Sequence, residues 1–206
     1  MNAGYILLCL TLLLGYVIWR RSAYNNNHTK RENQSFWDRE SAANSVRKKD
    51  ISNLDYISFN PDDLPIESAN ALGLNKLTEE LYSFTERKII NLSQYSNTDL
   101  KMMYGPANLE FLSEYDNNFT TLIKLLNKIS KELTNMNQST LAKEFLEYSI
   151  KIGSDLSSDY ELLGTIYHND NNEEGFNMLM QQASGITSLS KDIITSKLNN
   201  IKSTTK

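Results

Sequence analysis

Residues 4–19 form an apolar run without a single charged side chain, and Arg20 and Arg21 follow it directly. As an α-helix this run would extend roughly 24 Å, somewhat less than the hydrocarbon core of about 30 Å. Trp19 is typical of the membrane interface, and both arginines can extend their charged groups into the headgroup layer. The sequence therefore predicts a transmembrane anchor over residues 1–21, with Trp19, Arg20 and Arg21 at its interface.

Three other interpretations of this run fit the residues less well. A cleaved signal peptide would have basic residues before the run and a small-residue cleavage site after it, and neither is present. A lipoprotein signal would place a small residue before the cysteine, whereas Leu8 precedes Cys9. A buried core helix would carry a polar face. Since Cys9 is the single cysteine, the chain cannot form an internal disulfide.

The charges of the chain are distributed unevenly. Residues 20–49 hold eight basic and three acidic side chains, and residues 50–206 hold thirteen basic and twenty-two acidic ones. A cationic segment beside an anchor suits an anionic leaflet, and the acidic body argues against nucleic acid as the main partner. Because lysine and arginine follow the predicted span, we expect a single-pass membrane protein with its N-terminus outside and its C-terminal domain cytoplasmic.

The chain after the anchor divides into a juxtamembrane region and a helical domain. Residues 22–66 are predicted to contain a polar tether, a short helix over 36–47 and an extended arm or strand over 50–66. Whether the short helix lies on the membrane or is an ordinary surface helix stays open. Residues 67–206 are expected to be helical throughout, so the predicted fold class is all-α.

Apolar spacing and stop signals place the helices of that domain. The scarcity of Pro (3) and Gly (8) argues against sandwiches and barrels. Gly105-Pro106 ends one short helix near Tyr104, and glycines at 153 and 185 end two later ones. The other predicted helices cover residues 69–92, 107–135, 139–152, 158–168, 172–184 and 188–202.

The long helix over 107–135 carries an apolar stripe with alternating spacings of three and four residues. Three heptads are the lower limit for a coiled coil, so the stripe could be an oligomer seam. The helices that follow favour instead a core helix of an antiparallel bundle. The stripe consists of Leu112, Tyr115, Phe119, Leu122, Leu126, Ile129 and Leu133.

The apolar pattern recurs at an offset of 34 residues. Six positions of the second copy match the tetratricopeptide repeat, a 34-residue helix–turn–helix unit, which the chain resembles over about residues 120–186. The small residue at 164 would let the paired helix approach, and Ala183 would do the same for the next helix. Phe176 stands where a small residue is expected, and Ser154 and Ser188 replace the terminal proline. The matching positions are Tyr160, Leu163, Gly164, Tyr167, Met180 and Ala183.

The resemblance implies a concave face, lined by the first helix of each repeat, on which a peptide or a partner helix would bind. The stretches 35–65, 96–100 and 108–116 also resemble an uncharacterised family of bacterial single-pass membrane proteins with a tetratricopeptide-like tail. That resemblance implies a bacterial plasma membrane and brings no activity. The expected partner-binding residues are Asn127, Lys131, Thr134, Glu161, Thr165 and His168.

Residues for catalysis or metal binding are scarce. The two histidines are His28, in the tether, and His168, at a helix end, and Cys9 lies in the predicted anchor. No metal cluster of histidine and cysteine follows from these positions, and no nucleophile elbow or phosphate-binding loop is present. We therefore expect neither an enzyme nor a cofactor. The sequence favours a membrane-anchored protein-interaction adaptor or scaffold; the alternative is a structural subunit that forms homo-oligomers through the 112–133 stripe or the 50–66 arm.

Overall fold

The computed structural model describes residues 14–21 and 34–203, and every regular element among them is helical. The coarse prediction of an all-α fold is confirmed for these residues. Residues 14–21 form a short helical segment. The helices after it are α1 over 34–44, α2 Ile66–Ala71, α3 Asn75–Tyr82, α4 Asn97–Tyr104, α5 Leu109–Asn135, α6 Ser139–Lys151, α7 Ser157–Asn169, α8 Glu173–Gly185 and α9 Lys191–Ser203.

The chain divides into two compact units. Unit 1 comprises Met1–Lys49 and Asn97–Ala107, and unit 2 comprises Asp50–Ser96 and Asn108–Lys206. Residues 1–13 of the predicted anchor lie outside the described residues, as does most of the predicted tether. Across 14–21 and 34–203, no helix is both long enough and apolar enough to cross a membrane.

In unit 1, α1 is bound along one side to α4. The Glu40 carboxylate pairs with the Lys101 ammonium and accepts a 2.7 Å hydrogen bond from the Thr98 hydroxyl. Arg39, the residue before Glu40 on α1, forms an ion pair with Asp99 of α4. These contacts join side chains about sixty residues apart in the sequence, so α1 is held in a defined orientation relative to α4.

Gly105 allows the end of α4 to pass close to the chain that leaves α1. Its φ of +87° is left-handed, and a Cβ there would lie 2.6 Å from the carbonyl oxygen of Arg47. The carbonyl of Tyr104, the residue before Gly105, accepts a 3.0 Å hydrogen bond from the Lys49 amide. Glycine is therefore required at this position for both backbone conformation and space.

Helix α5 is the central helix of unit 2. It contacts α3, α6 and α7, and every member of its apolar stripe is buried except Tyr115, which is half-buried. The core-helix interpretation is confirmed for the five members of the stripe that belong to the hydrophobic core of unit 2: Phe119, Leu122, Leu126, Ile129 and Leu133. Within unit 2 this stripe is therefore covered, and no oligomer seam is needed to explain it.

The segment over residues 50–66 is extended and packs on the core of unit 2, and it forms no strand. The Phe59 ring contacts Phe84 and Tyr148 edge-to-face, with ring centroids 6.5 and 5.9 Å apart. Pro61–Asp63 form a short 3-10 turn, which the Asn60 side chain caps by accepting from the Asp62 amide at 3.2 Å. The arm is thus part of the core.

The continuous helix predicted over 69–92 is wrong. The chain forms the short helices α2 and α3 and then continues without a helix from residue 83 to 96. Gly73, with a φ of +87°, ends α2, and the Ile89 carbonyl accepts a 2.9 Å hydrogen bond from the amide of Ile57 in the arm. The apolar residues are buried as expected, but non-local backbone hydrogen bonds replace the helical ones in this stretch.

Helices α5 to α9 follow the predicted order, with ends within three residues of the predicted ones. Each contacts its neighbour along the chain, and α7 also contacts α5 and α9. The turns after α5 and α7 are alike: Asn137 and Asn171 have φ values of 59° and 52°. The next residues, Gln138 and Asn172, both donate amide hydrogen bonds of 2.8 Å to the helix just ended. The two turns lie 34 residues apart and share one geometry.

Candidate functional site

One face of α7 carries the predicted residues Glu161, Thr165 and His168, which are spaced four and three residues apart and therefore lie together. Glu161 and Thr165 are exposed, and His168 is half-buried. The Glu161 carboxylate accepts a 2.6 Å hydrogen bond from the Lys197 ammonium of α9. Lys197 thus extends this polar face onto α9, which the sequence pattern did not indicate.

Two of the three predicted residues on α5 are accessible to solvent. Lys131 is exposed, whereas Thr134 is half-buried and its hydroxyl donates to the Ser130 carbonyl of the same helix at 2.8 Å. Asn127 differs from the expectation because it is buried. Its amide nitrogen donates to a carboxylate oxygen of Asp159 at 2.6 Å, so a partner would not reach it.

Asp159 is a fully buried carboxylate in the first turn of α7. Besides Asn127, it accepts hydrogen bonds from the hydroxyls of Ser149, at 2.8 Å, and Ser154, at 2.6 Å. Burial raises the pKa of this carboxyl; the three hydrogen bonds and the charge of Lys131 oppose that shift. The carboxylate joins α5, α6, the loop after α6 and α7, and so sets how α7 lies against α5.

Sequence reasoning missed Asp159, because an aspartate in the first turn of a helix is usually exposed and interacts with the helix dipole. The neighbouring Tyr160 is also buried, and burial together with the charges of Asp159 and Asp155 raises its pKa to about 12. Its aromatic ring at the repeat position was the available signal that this first turn faces the core.

A cavity of about 320 Å³ lies beside His168, at the turn between α7 and α8. Tyr167 forms part of its wall and donates its hydroxyl to the Glu147 carboxylate at 2.7 Å; burial and this carboxylate raise the pKa of Tyr167. The wall consists of Tyr167, His168, Asn171, Asn172, Glu173, Phe176, Asn177 and Lys202. A polar side chain of a bound partner would fit this volume.

Gly164 and Gly175 make room for the packing around this face. A Cβ at Gly164 would lie 2.7 Å from a methyl carbon of Leu198 on α9 and 3.5 Å from the Phe176 ring. The sequence predicted that Gly164 admits its paired helix; the closest approach is instead that of α9. A Cβ at Gly175 would lie 2.9 Å from the Tyr167 ring.

The predicted membrane-interface residues lie in the helical segment 14–21. Trp19, Arg20 and Arg21 are all exposed there, and the Trp19 ring lies 6.3 Å from the Tyr16 ring. Among the described residues, no group of three histidine, cysteine, aspartate or glutamate side chains is arranged to hold a metal ion.

Neither a family model, nor a curated protein, nor a solved structure matches this chain.

Proposed function

We propose that this chain is a membrane-anchored adaptor, in which the polar face of unit 2 binds a protein partner. The polar face comprises Lys131, Glu161, Thr165, His168 and Lys197. The observation that carries the proposal is the Glu161–Lys197 pair, because it bridges α7 and α9 and makes their exposed side chains one continuous surface. The cavity beside His168 provides a recess at one end of α7.

The tetratricopeptide resemblance supports this proposal. The matching turns at Asn137 and Asn171 suit a repeated helix pair with a period of 34 residues. The contact of α7 with α9, alongside its contacts with α6 and α8, suits a stack in which α9 covers the last pair. In such a stack the first helix of each pair lines the binding surface, which is where α7 carries its exposed polar residues.

The membrane anchor is proposed from the sequence. The charge-free run over residues 4–19, with its arginine border, favours a bilayer as the first partner. The basic residues after the run favour a cytoplasmic C-terminal domain, and the resemblance to bacterial single-pass membrane proteins favours a bacterial plasma membrane. The adaptor would then hold its protein partner at the inner leaflet.

The partner that fits the polar face is a protein segment with charges of both signs. Lys131 and Lys197 offer cations, Glu161 offers a carboxylate, and Thr165 and His168 offer a hydroxyl and an imidazole. Exposed charges contribute little each, so recognition would depend on several of them together with a side chain in the cavity.

The test is in-cell cross-linking of the full-length chain. Lys131→Glu with Glu161→Lys reverses two charges on the polar face, and Lys143→Glu with Glu144→Lys makes the same exchange on α6. We expect the first variant to lose partners that the wild type and the α6 variant retain. Identical partner sets for all three, with equal melting temperatures, would overturn the role of the polar face.

A further inference from the structure

Two large aromatic side chains lie exposed in the first turn of α1. Phe36 and Trp37 are 53% and 64% exposed, and their rings meet edge-to-face with centroids 5.4 Å apart. An aromatic pair of this size in water leaves considerable apolar area uncovered, which is a common sign of a contact surface.

The orientation of α1 keeps this aromatic pair on the surface of unit 1. Arg39 and Glu40 bind α4 one turn after the aromatic pair, and Ala43 is fully buried another turn on. Because these three positions fix the helix, α1 cannot rotate to bury Phe36 and Trp37 within unit 1 without breaking both ion pairs. The aromatic pair therefore has a fixed direction.

The net charge of unit 1, which carries this aromatic pair, suits an anionic surface. Unit 1 contains nine basic and four acidic side chains, whereas unit 2 contains twelve basic and twenty-one acidic ones. Within unit 1, Arg20, Arg21 and Arg47 are exposed. Exposed tryptophan and phenylalanine in a unit with an excess of cationic side chains suit the headgroup region of anionic bilayers.

The covalent chain allows the aromatic pair to reach a membrane surface. Thirteen peptide units join residue 21 to residue 34, and these span at most about 45 Å. We propose that Phe36 and Trp37 insert into the headgroup region of an anionic leaflet, so that α1 is a second membrane contact. This inference rests on the proposed anchor, and the ligand is the anionic phospholipid headgroup.

The experiment uses the two tryptophans of the full-length chain, reconstituted into phosphatidylcholine vesicles with and without phosphatidylglycerol. Trp19→Phe leaves Trp37 as the reporter, and Trp37→Phe leaves Trp19. In a chain lacking both, Tyr82→Trp places a reporter at a half-exposed position of unit 2. Brominated lipids that quench nearby tryptophan fluorescence measure how close each reporter lies to the bilayer.

We expect brominated lipid to quench Trp37 at least about twofold more than the Tyr82→Trp reporter in anionic vesicles, and less at high salt. Quenching of Trp19 but not of Trp37 would overturn this inference and leave the anchor intact. Quenching of neither would overturn the anchor itself. Protection of Trp37 from acrylamide without lipid quenching would mean that a second copy of the chain covers the aromatic pair, which also contradicts the inference.

Discussion

The side-chain amide of Asn127 on α5 donates a 2.6 Å hydrogen bond to the carboxylate of Asp159 on α7, and both residues are buried. They are 32 residues apart in the sequence. This bond, with those from Ser149 and Ser154, leaves the buried carboxylate well satisfied. The buried Asp159 carboxylate therefore fixes how α7, which carries the polar face, lies against α5. Substitutions of Asp159 should lower the stability of unit 2 before they change partner binding.

Replacing Asp159 by alanine should destabilise unit 2. The change leaves the buried donors Asn127, Ser149 and Ser154 without their acceptor, which costs on the order of 2–4 kcal/mol. Urea unfolding of the detergent-solubilised chain, followed by circular dichroism, measures the loss. Asp155→Asn is the matched control in the preceding loop, with an expected change below about 0.5 kcal/mol. Equal effects of the two substitutions would contradict the role assigned to Asp159.

Asp159 should also make the stability of unit 2 depend on pH. Burial raises its pKa in the folded protein above the ordinary value of 3.8. The folded state then binds the proton more tightly, so the contribution of Asp159 is fully present below 3.8 and declines as the pH rises through the folded pKa. The measurement is the difference in unfolding free energy between the wild type and Asp159→Asn, which does not titrate. A difference that stays constant with pH would contradict the raised pKa.

Gly164→Ala should destabilise the packing of α9 on α7. The new Cβ would lie 2.7 Å from a Leu198 methyl carbon, and relief of that overlap costs about 1–3 kcal/mol, partly offset by the better helix propensity of alanine. Gly185→Ala is the control, because nothing lies within 4 Å of its Cβ position. Thermal unfolding should show a lower midpoint for the first substitution and an equal or higher one for the second.

Removing the charge of Glu40 should loosen α1 from α4. Hydrogen bonds from Lys101 and Thr98 lower the pKa of Glu40 below 4.5, so the stabilisation it gives is present above 4.5 and is lost as the pH falls through the folded pKa. We expect Glu40→Gln to speed amide hydrogen exchange across residues 34–44. Asp38→Asn is the control. It removes a charge from the same helix, but the hydrogen bond that Asp38 accepts from Gln34 lies within α1. Unchanged exchange in Glu40→Gln would show that the ion pair does not hold α1.

The proposed topology predicts that the chain after the anchor is protected from external protease in intact spheroplasts. Protease added outside should leave residues 34–206 uncleaved, and permeabilisation should expose them. Digestion in unpermeabilised spheroplasts would reverse the orientation inferred from the basic residues. Recovery of the whole chain in a high-speed supernatant without detergent would remove the anchor.

The sequence alone determined the helices from α5 to α9. Their apolar spacing indicates which side of each helix is covered, and Gly153, with a φ of 98°, marks a turn that depends on local backbone preference. The same periodicity showed that one side of α5 is covered, whereas Lys131, Glu161 and Thr165 were expected on the surface from the tetratricopeptide resemblance. These features depend on residues a few positions apart, so a linear pattern contains them.

Only the tertiary structure decided which distant segments meet. In the stretch predicted as helix over 69–92, the Ile89 carbonyl instead accepts a hydrogen bond from the arm. Helix α1 is held by ion pairs with Asp99 and Lys101 of α4. Asn127, expected on the surface, is buried against Asp159. Periodicity shows that one side of a helix is covered but does not identify what covers it. A buried polar residue depends on partners brought together by folding, and a single sequence does not record that proximity.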